Sequence, residues 1–153
     1  MFNVKKFFQP PENEEIVCGD TLEKRIQIAT CALFLEIANS DENFSDNEKE
    51  LIVSLLKNEF DLSNEEVDSL IGTTKQTINK SIDIWQFTNL INQNFSDEEK
   101  IKILENIWKI IYADEKLDTY EDYLAHKISN LLRLPHKTLI ESKMKVKNNE
   151  RNN

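Results

Sequence analysis

The sequence predicts one all-α domain of about seven helices with duplicated halves. Three observations carry that reading. Only two glycines and three prolines occur in 153 residues, whereas sheet-rich folds spend more of both on turns. Apolar residues recur at helical rather than alternating spacing. A helix–turn–helix pattern is also written twice, 73 residues apart: EIANSDENFSDNEKELIVSLL from Glu36 matches KIIYADEKLDTYEDYLAHKIS from Lys109. A chain of this length fits a single domain and can bury a sizeable core.

Residues 1–19 read as a loosely held lead-in, with Pro10 and Pro11 followed by the acidic ENEE from Glu12. The helical domain is expected over 20–146. The first helix runs from near Asp20 to about Ala38 and contains RIQIATCALFLEIA from Arg25. That run falls short of the about 20 apolar residues a membrane span needs, and it carries Gln27, Thr30 and Glu36, so it reads as a central buried helix. Within it Cys31 packs as a small hydrophobe. With Cys18 as its only companion it makes no disulfide framework, and a reduced, cytoplasmic protein follows.

The second helix holds Leu51, Ile52, Leu55, Leu56 and Phe60 on one stripe. A short third helix covers Asn64 to Ile71, and GTTKQT from Gly72 reads as a linker. The fourth carries Ile84, Trp85, Phe87, Leu90 and Ile91. The fifth carries Ile101, Leu104, Ile107, Trp108 and Ile111, and both tryptophans are expected in the core. The sixth holds Leu124, Ile128, Leu131 and Leu132. A last helix starts at Pro135, a residue favoured in the first helical turn, and gives way to a disordered tail over 147–153.

The formal net charge of −9 excludes general nucleic-acid binding, whose affinity comes from neutralised phosphates. It suits cations or a basic partner. The first ten residues, MFNVKKFFQP, lack the long apolar region of a signal peptide. Their KKFF from Lys5 offers charge and aromatic rings to an anionic membrane surface, but buries too little to anchor alone. No phosphate-binding glycine motif and no nucleophile–base spacing occurs, so no catalytic residue is named.

The heptad NFSDNEK at Asn43 has a near copy, NFSDEEK, at Asn94. Each contains S-x-x-E, in which the Ser accepts from the third helical N–H and the Glu accepts from the Ser N–H. The same device is expected at Asp20 with Glu23, Ser63 with Glu66, and Asp118 with Glu121. Four residues before each cap stand Ile16, Asp41, Glu59, Asn92 and Asp114, and only two of these are aspartate. Those two caps are the ones in the 73-residue repeat, which makes D-x-x-Φ-x-x-x-E its mark, Φ being apolar.

Asp41, Glu48, Asp114 and Glu121 are therefore the candidate site. Four carboxylates without Cys or His suit a hard cation, Ca²⁺ or Mg²⁺. The competing reading makes each Glu a helix cap and each Asp a turn former. The loop from Asp41 is no EF-hand, since it lacks the central Gly and has Ile52 at its twelfth position. A metal-dependent hydrolase using the same carboxylates is the alternative class. Glu36 and Lys109, equivalent in the repeat, make either a cross-repeat ion pair or two exposed charges. His126 is placed to pair with Asp122, and His136 to sit by a helix start, both as structural residues.

At SDENFSDNE from Ser40 and ADEKLDTYE from Ala113 the sequence resembles the TerB-like family, named for tellurite resistance protein B. The stretch from Phe87 through LLRLPHK at Leu131 is similar to its uncharacterised bacterial branch, and the resemblance covers roughly residues 22–145. It implies a seven-helix fold with pseudo-twofold halves. It also implies an acidic surface and association with stress-response or membrane-linked proteins, peripheral to the inner membrane, rather than a known reaction. The family's Gly after the Asp is replaced here by Glu42 and Glu115, at a cost of about 1 kcal/mol each if the turn needs positive φ.

Overall fold

The computed structural model describes residues 21–39, 46–78, 83–113 and 119–151. Those residues form seven helices: α1 Leu22–Asn39, α2 Asp46–Phe60, α3 Asn64–Ile78, α4 Ile84–Asn94, α5 Asp97–Tyr112, α6 Thr119–Leu131 and α7 His136–Arg151. No strand occurs among the described residues, so the all-α expectation holds. None of the described helices is long and apolar enough to cross a membrane. The expected lead-in, 1–19, lies outside the described residues, while α7 continues to Arg151, into the stretch expected to be tail.

A helix apolar on every side must lie inside, and α1 does. Ile26, Ile28, Leu33, Phe34 and Ile37 are all fully buried there, in contact with α2, α3, α4, α5 and α6. Thr30 avoids an unmet hydroxyl by donating to the Ile26 carbonyl at 3.0 Å. The second central helix is α5, with Ile103, Leu104, Ile107 and Trp108 buried against α1, α2, α6 and α7. Under the 73-residue offset, α1, α2 and α3 match α5, α6 and α7. The contacts α1–α2, α1–α3 and α2–α3 have counterparts in α5–α6, α5–α7 and α6–α7, and α1–α6 answers α2–α5.

The two halves also turn the same corner. α2 is followed by Asp61 with φ 54° and α6 by Arg133 with φ 61°. In each the next residue donates five residues back, Leu62 N–H to the Lys57 carbonyl at 3.2 Å and Leu134 N–H to the Ser129 carbonyl at 3.1 Å. This is the left-handed helix stop that glycine normally provides, made here by non-glycine residues. Beyond the second corner the Pro135 carbonyl accepts from Thr138 and Leu139, opening α7 one residue after the expected start.

Two expectations are corrected. The stretch from Gly72 is no linker: it is helical through Ile78. Its low helix propensity is outweighed because Thr74 and Thr77 are buried and return their hydroxyls to the Leu70 and Thr73 carbonyls at 2.7 and 2.9 Å. Trp85 is 53% exposed, lying off the face formed by Phe87, Thr88, Leu90 and Ile91. Glu36 and Lys109 are both half-buried, and no ion pair joins them.

Gly72 itself yields a test. A Cβ added there meets nothing within 4 Å, so Gly72→Ala should raise stability by about 0.5–1 kcal/mol through the helix-propensity difference. A urea melt reads this as a higher midpoint at unchanged slope.

Candidate functional site

Two of the expected capping boxes form in full. Ser63 N–H donates to Glu66 Oε1 at 2.9 Å and Glu66 N–H donates to Ser63 Oγ at 3.2 Å. Ser96 and Glu99 repeat this at 2.8 and 3.2 Å. Glu66 is exposed and Glu99 half-buried, as suits a side chain folded back over a helix end. At the start of the first helix Thr21 Oγ1 accepts from Lys24 N–H at 3.2 Å, Glu23 is exposed, and the expected cap Asp20 lies outside the described residues. The hydrogen bonds around Ser63 hold the Glu66 carboxyl below its ordinary value.

Glu48 and Glu121 occupy the same place in their own helices, the first turns of α2 and α6. Both are only 1% exposed. Neither is free of interactions within the protein. A carboxylate withdrawn from water this far pays a desolvation cost that a surface cap avoids, so the shared S/D-x-x-E spelling conceals two different environments. The buried pair is the pair that belongs to the 73-residue repeat. Each of their helices also packs on the central helix of the other half, α2 on α5 and α6 on α1.

Asp41 and Asp114 lie outside the described residues, as do Ser45 and Asp118. Among the described residues alone, no three His, Cys, Asp or Glu side chains are grouped to hold a metal. Glu48 and Glu121 thus stand as the described half of the four-carboxylate candidate. Carboxylate oxygens in a buried first turn fit a hard cation by charge and by donor type.

The look-alike heptad has a different use. Asn92, in the place of the repeat's aspartate, donates from Nδ2 to the Leu131 carbonyl at 2.8 Å, tying α4 to the last turn of α6. The nearby Asn94 donates to the Leu90 carbonyl at 2.8 Å. Both amides serve as helix fasteners.

A family model described as tellurite resistance protein TerB matches residues 27–144, a span that covers both Glu48 and Glu121 and both turns. The chain belongs to the TerB family. No curated protein matches it. Among solved structures it is similar to a protein of unknown function, PG1108 from Porphyromonas gingivalis W83. That likeness has a TM-score of 0.60 at 21% identity, over 86% of this chain and 99% of the other. At that identity the likeness shows the TerB fold as shared and nothing further.

The histidines of this TerB domain lie together on α6 and α7, and His126 stands beside Asp122 as its spacing suggests. His126 Nε2 lies 3.5 Å from Asp122 Oδ2, and Lys143 Nζ lies 3.5 Å from Asp122 Oδ1. Lys143 also sits 5.2 Å from the centre of the Trp108 ring, and His136 packs its ring 5.7 Å from that of His126. These contacts lock α6 and α7 onto α5. Burial, reinforced by the Asp122 charge, raises the Tyr112 phenol. Cys31 is buried, and burial pushes its thiol up to about 11. Such a thiol is protonated at neutral pH, the less reactive form.

The feature that sequence reasoning missed is the burial contrast among glutamates with identical local spelling. Its signal was present in the aspartate four residues before the cap, which sorts Glu48 and Glu121 from the rest.

The capping reading of Ser63 can be tested directly. Ser63→Ala keeps the Ser63 N–H contact, the larger cause, and loses the hydroxyl, so the Glu66 carboxyl should rise part of the way toward its ordinary value, as read by an NMR pH titration. The sign follows from a folded value below the unfolded one. The stability Glu66 lends is present above its unfolded value and lost as pH falls through its folded value. In Ser63→Ala that acid-labile part should shrink.

Proposed function

We propose that this TerB-family chain is a non-catalytic module that takes part in the stress response, tellurite included, through protein contacts, and that its paired acidic turns bind Ca²⁺ or Mg²⁺. The observation that carries the cation reading is the burial of Glu48 and Glu121 at 1% exposure each, in contrast with exposed Glu66 in the same local motif. Buried carboxylates gain most from a cation that replaces lost hydration. Asp41 and Asp114, at equivalent repeat positions, would complete the set. The matching contacts and left-handed corners of the two halves support a pseudo-twofold relation between them.

The protein-contact part rests on the acidic surface, net −9 over the chain, which favours a basic partner by steering. The protonated, buried Cys31 thiol suits a reducing, cytoplasmic setting, and the partner is one held at the inner membrane. Calorimetric titration of the full chain with CaCl₂ and with MgCl₂ tests the cation reading. Saturable heat is expected for one of them, and its absence for both would leave the carboxylates as structural groups. Crosslinked pull-down from cell extract tests the second part. Turnover of a phosphoester panel with no protein retained would make the hydrolase the better reading.

A further inference from the structure

A groove of about 580 Å³ opens where the start of α1 meets the α2–α3 corner. Its lining is mostly polar, with Phe60 and Leu62 as its two apolar residues. Phe60 and Leu62 flank the left-handed Asp61 and reach into it, each half-buried against the core. Its rim is acidic, with Glu23, Asp61, Glu65 and Glu66 facing a single ammonium, that of Lys24. Four carboxylates against one ammonium leave a formal charge of −3 beside the Phe60 ring. The Glu66 carboxylate accepts from Ser63 N–H, which favours its ionised form. Neither Glu48 nor Glu121 lines the groove, so the groove and the acidic turns are separate features.

The chemistry that fits such a groove is a short basic stretch followed by an aromatic ring. This chain carries one. Lys5, Lys6, Phe7 and Phe8 stand in order, joined to the domain through Thr21, which itself lines the groove.

We propose that the groove receives the chain's own Lys5–Phe8 segment, with the lysines against the carboxylate rim and a phenyl ring on Phe60 and Leu62. Reach permits it. Twelve residues lie between Phe8 and Thr21, and at about 3.3–3.6 Å per residue an extended connection spans about 40 Å. Attachment also gives the segment an effective concentration on the order of mM. Glu12, Glu14 and Glu15 in the connection are repelled by the rim, which makes the connection a tether and leaves the basic end as occupant. Exposed ion pairs alone hold little. The ring supplies the contact, while the charges choose the segment and guide its approach.

Paramagnetic relaxation in the full chain tests this. A nitroxide is placed on Val4→Cys in a Cys18→Ser background, Cys31 being buried and protonated. The amide signals of Leu62, Glu65 and Ser69 should lose most of their intensity, while those of α7 keep theirs. The loss should disappear in Phe7→Ala/Phe8→Ala and in Glu23→Lys/Glu65→Lys, whose altered glutamates are exposed. A mixture of isotope-labelled, label-free chain with spin-labelled, unenriched chain should show no loss. Even broadening over the whole surface would overturn the proposal. So would loss in the mixture, which would make a second copy the occupant.

Discussion

Replacing Trp108 with alanine should lower the unfolding free energy by about 3–5 kcal/mol. Trp108 is wholly buried on α5, stacks on Tyr112 with ring centres 6.0 Å apart, and underlies the Lys143 ammonium. Truncation removes the largest of the fully buried side chains from the helix that contacts α1, α2, α6 and α7. Natural domains hold only about 5–15 kcal/mol in total, so this one change would consume a large part of the reserve. Trp108→Phe should cost much less. It keeps an aromatic ring beneath Lys143 and discards a buried indole N–H that meets no acceptor among the described residues. Urea unfolding followed by circular dichroism checks both, and equal losses for the two variants would show that ring volume does not set the stability here.

The same residue marks how much of the fold could be read in advance. Trp108 falls in phase with Leu104, Ile107 and Ile111, so periodicity alone puts it inside. Trp85 has apolar neighbours but the wrong phase. Beside Ile84, it points away from the Phe87–Ile91 face, and composition masks that. Gly72 with its threonines reads as a break because propensity counts only local terms. The buried Thr74 and Thr77 hydroxyls close on their own helix, a gain that depends on the packing of α3 against α1. The acidic candidates show the same limit. The S/D-x-x-E spelling specifies a cap whether or not anything covers it, and coverage depends on which helices approach. Only the repeat, by tying Glu48 to Glu121, carried information about that approach.

The effect expected next in size is cation stabilisation, which should require both halves of the repeat. One turn provides at most two carboxylates, Asp41 with Glu48 or Asp114 with Glu121, whereas Ca²⁺ takes about six to eight oxygens. Two turns supply four carboxylates, some able to bind through both oxygens, with backbone carbonyls and water for the rest. Like charges gathered without a cation repel one another, so the bound form gains twice, from coordination and from relief of repulsion. At a hundredfold excess over the dissociation constant, binding to the folded state alone stabilises by about 2.7 kcal/mol. Thermal melts with and without CaCl₂ or MgCl₂ read this as a rise in Tm. Asp41→Asn and Asp114→Asn should each abolish the rise, because either loss leaves one complete turn and an incomplete site. Glu99→Gln should leave it intact, since Glu99 closes a capping box at Ser96 and glutamine serves that role as well. Glu48→Gln and Glu121→Gln decide the matter most sharply. As caps they would tolerate the amide and leave the melts unchanged, whereas as ligands they would lose the cation response while the metal-free protein kept its stability or gained some, a buried charge having been removed. A wild-type chain whose Tm ignores both cations would return Glu48 and Glu121 to a purely structural role.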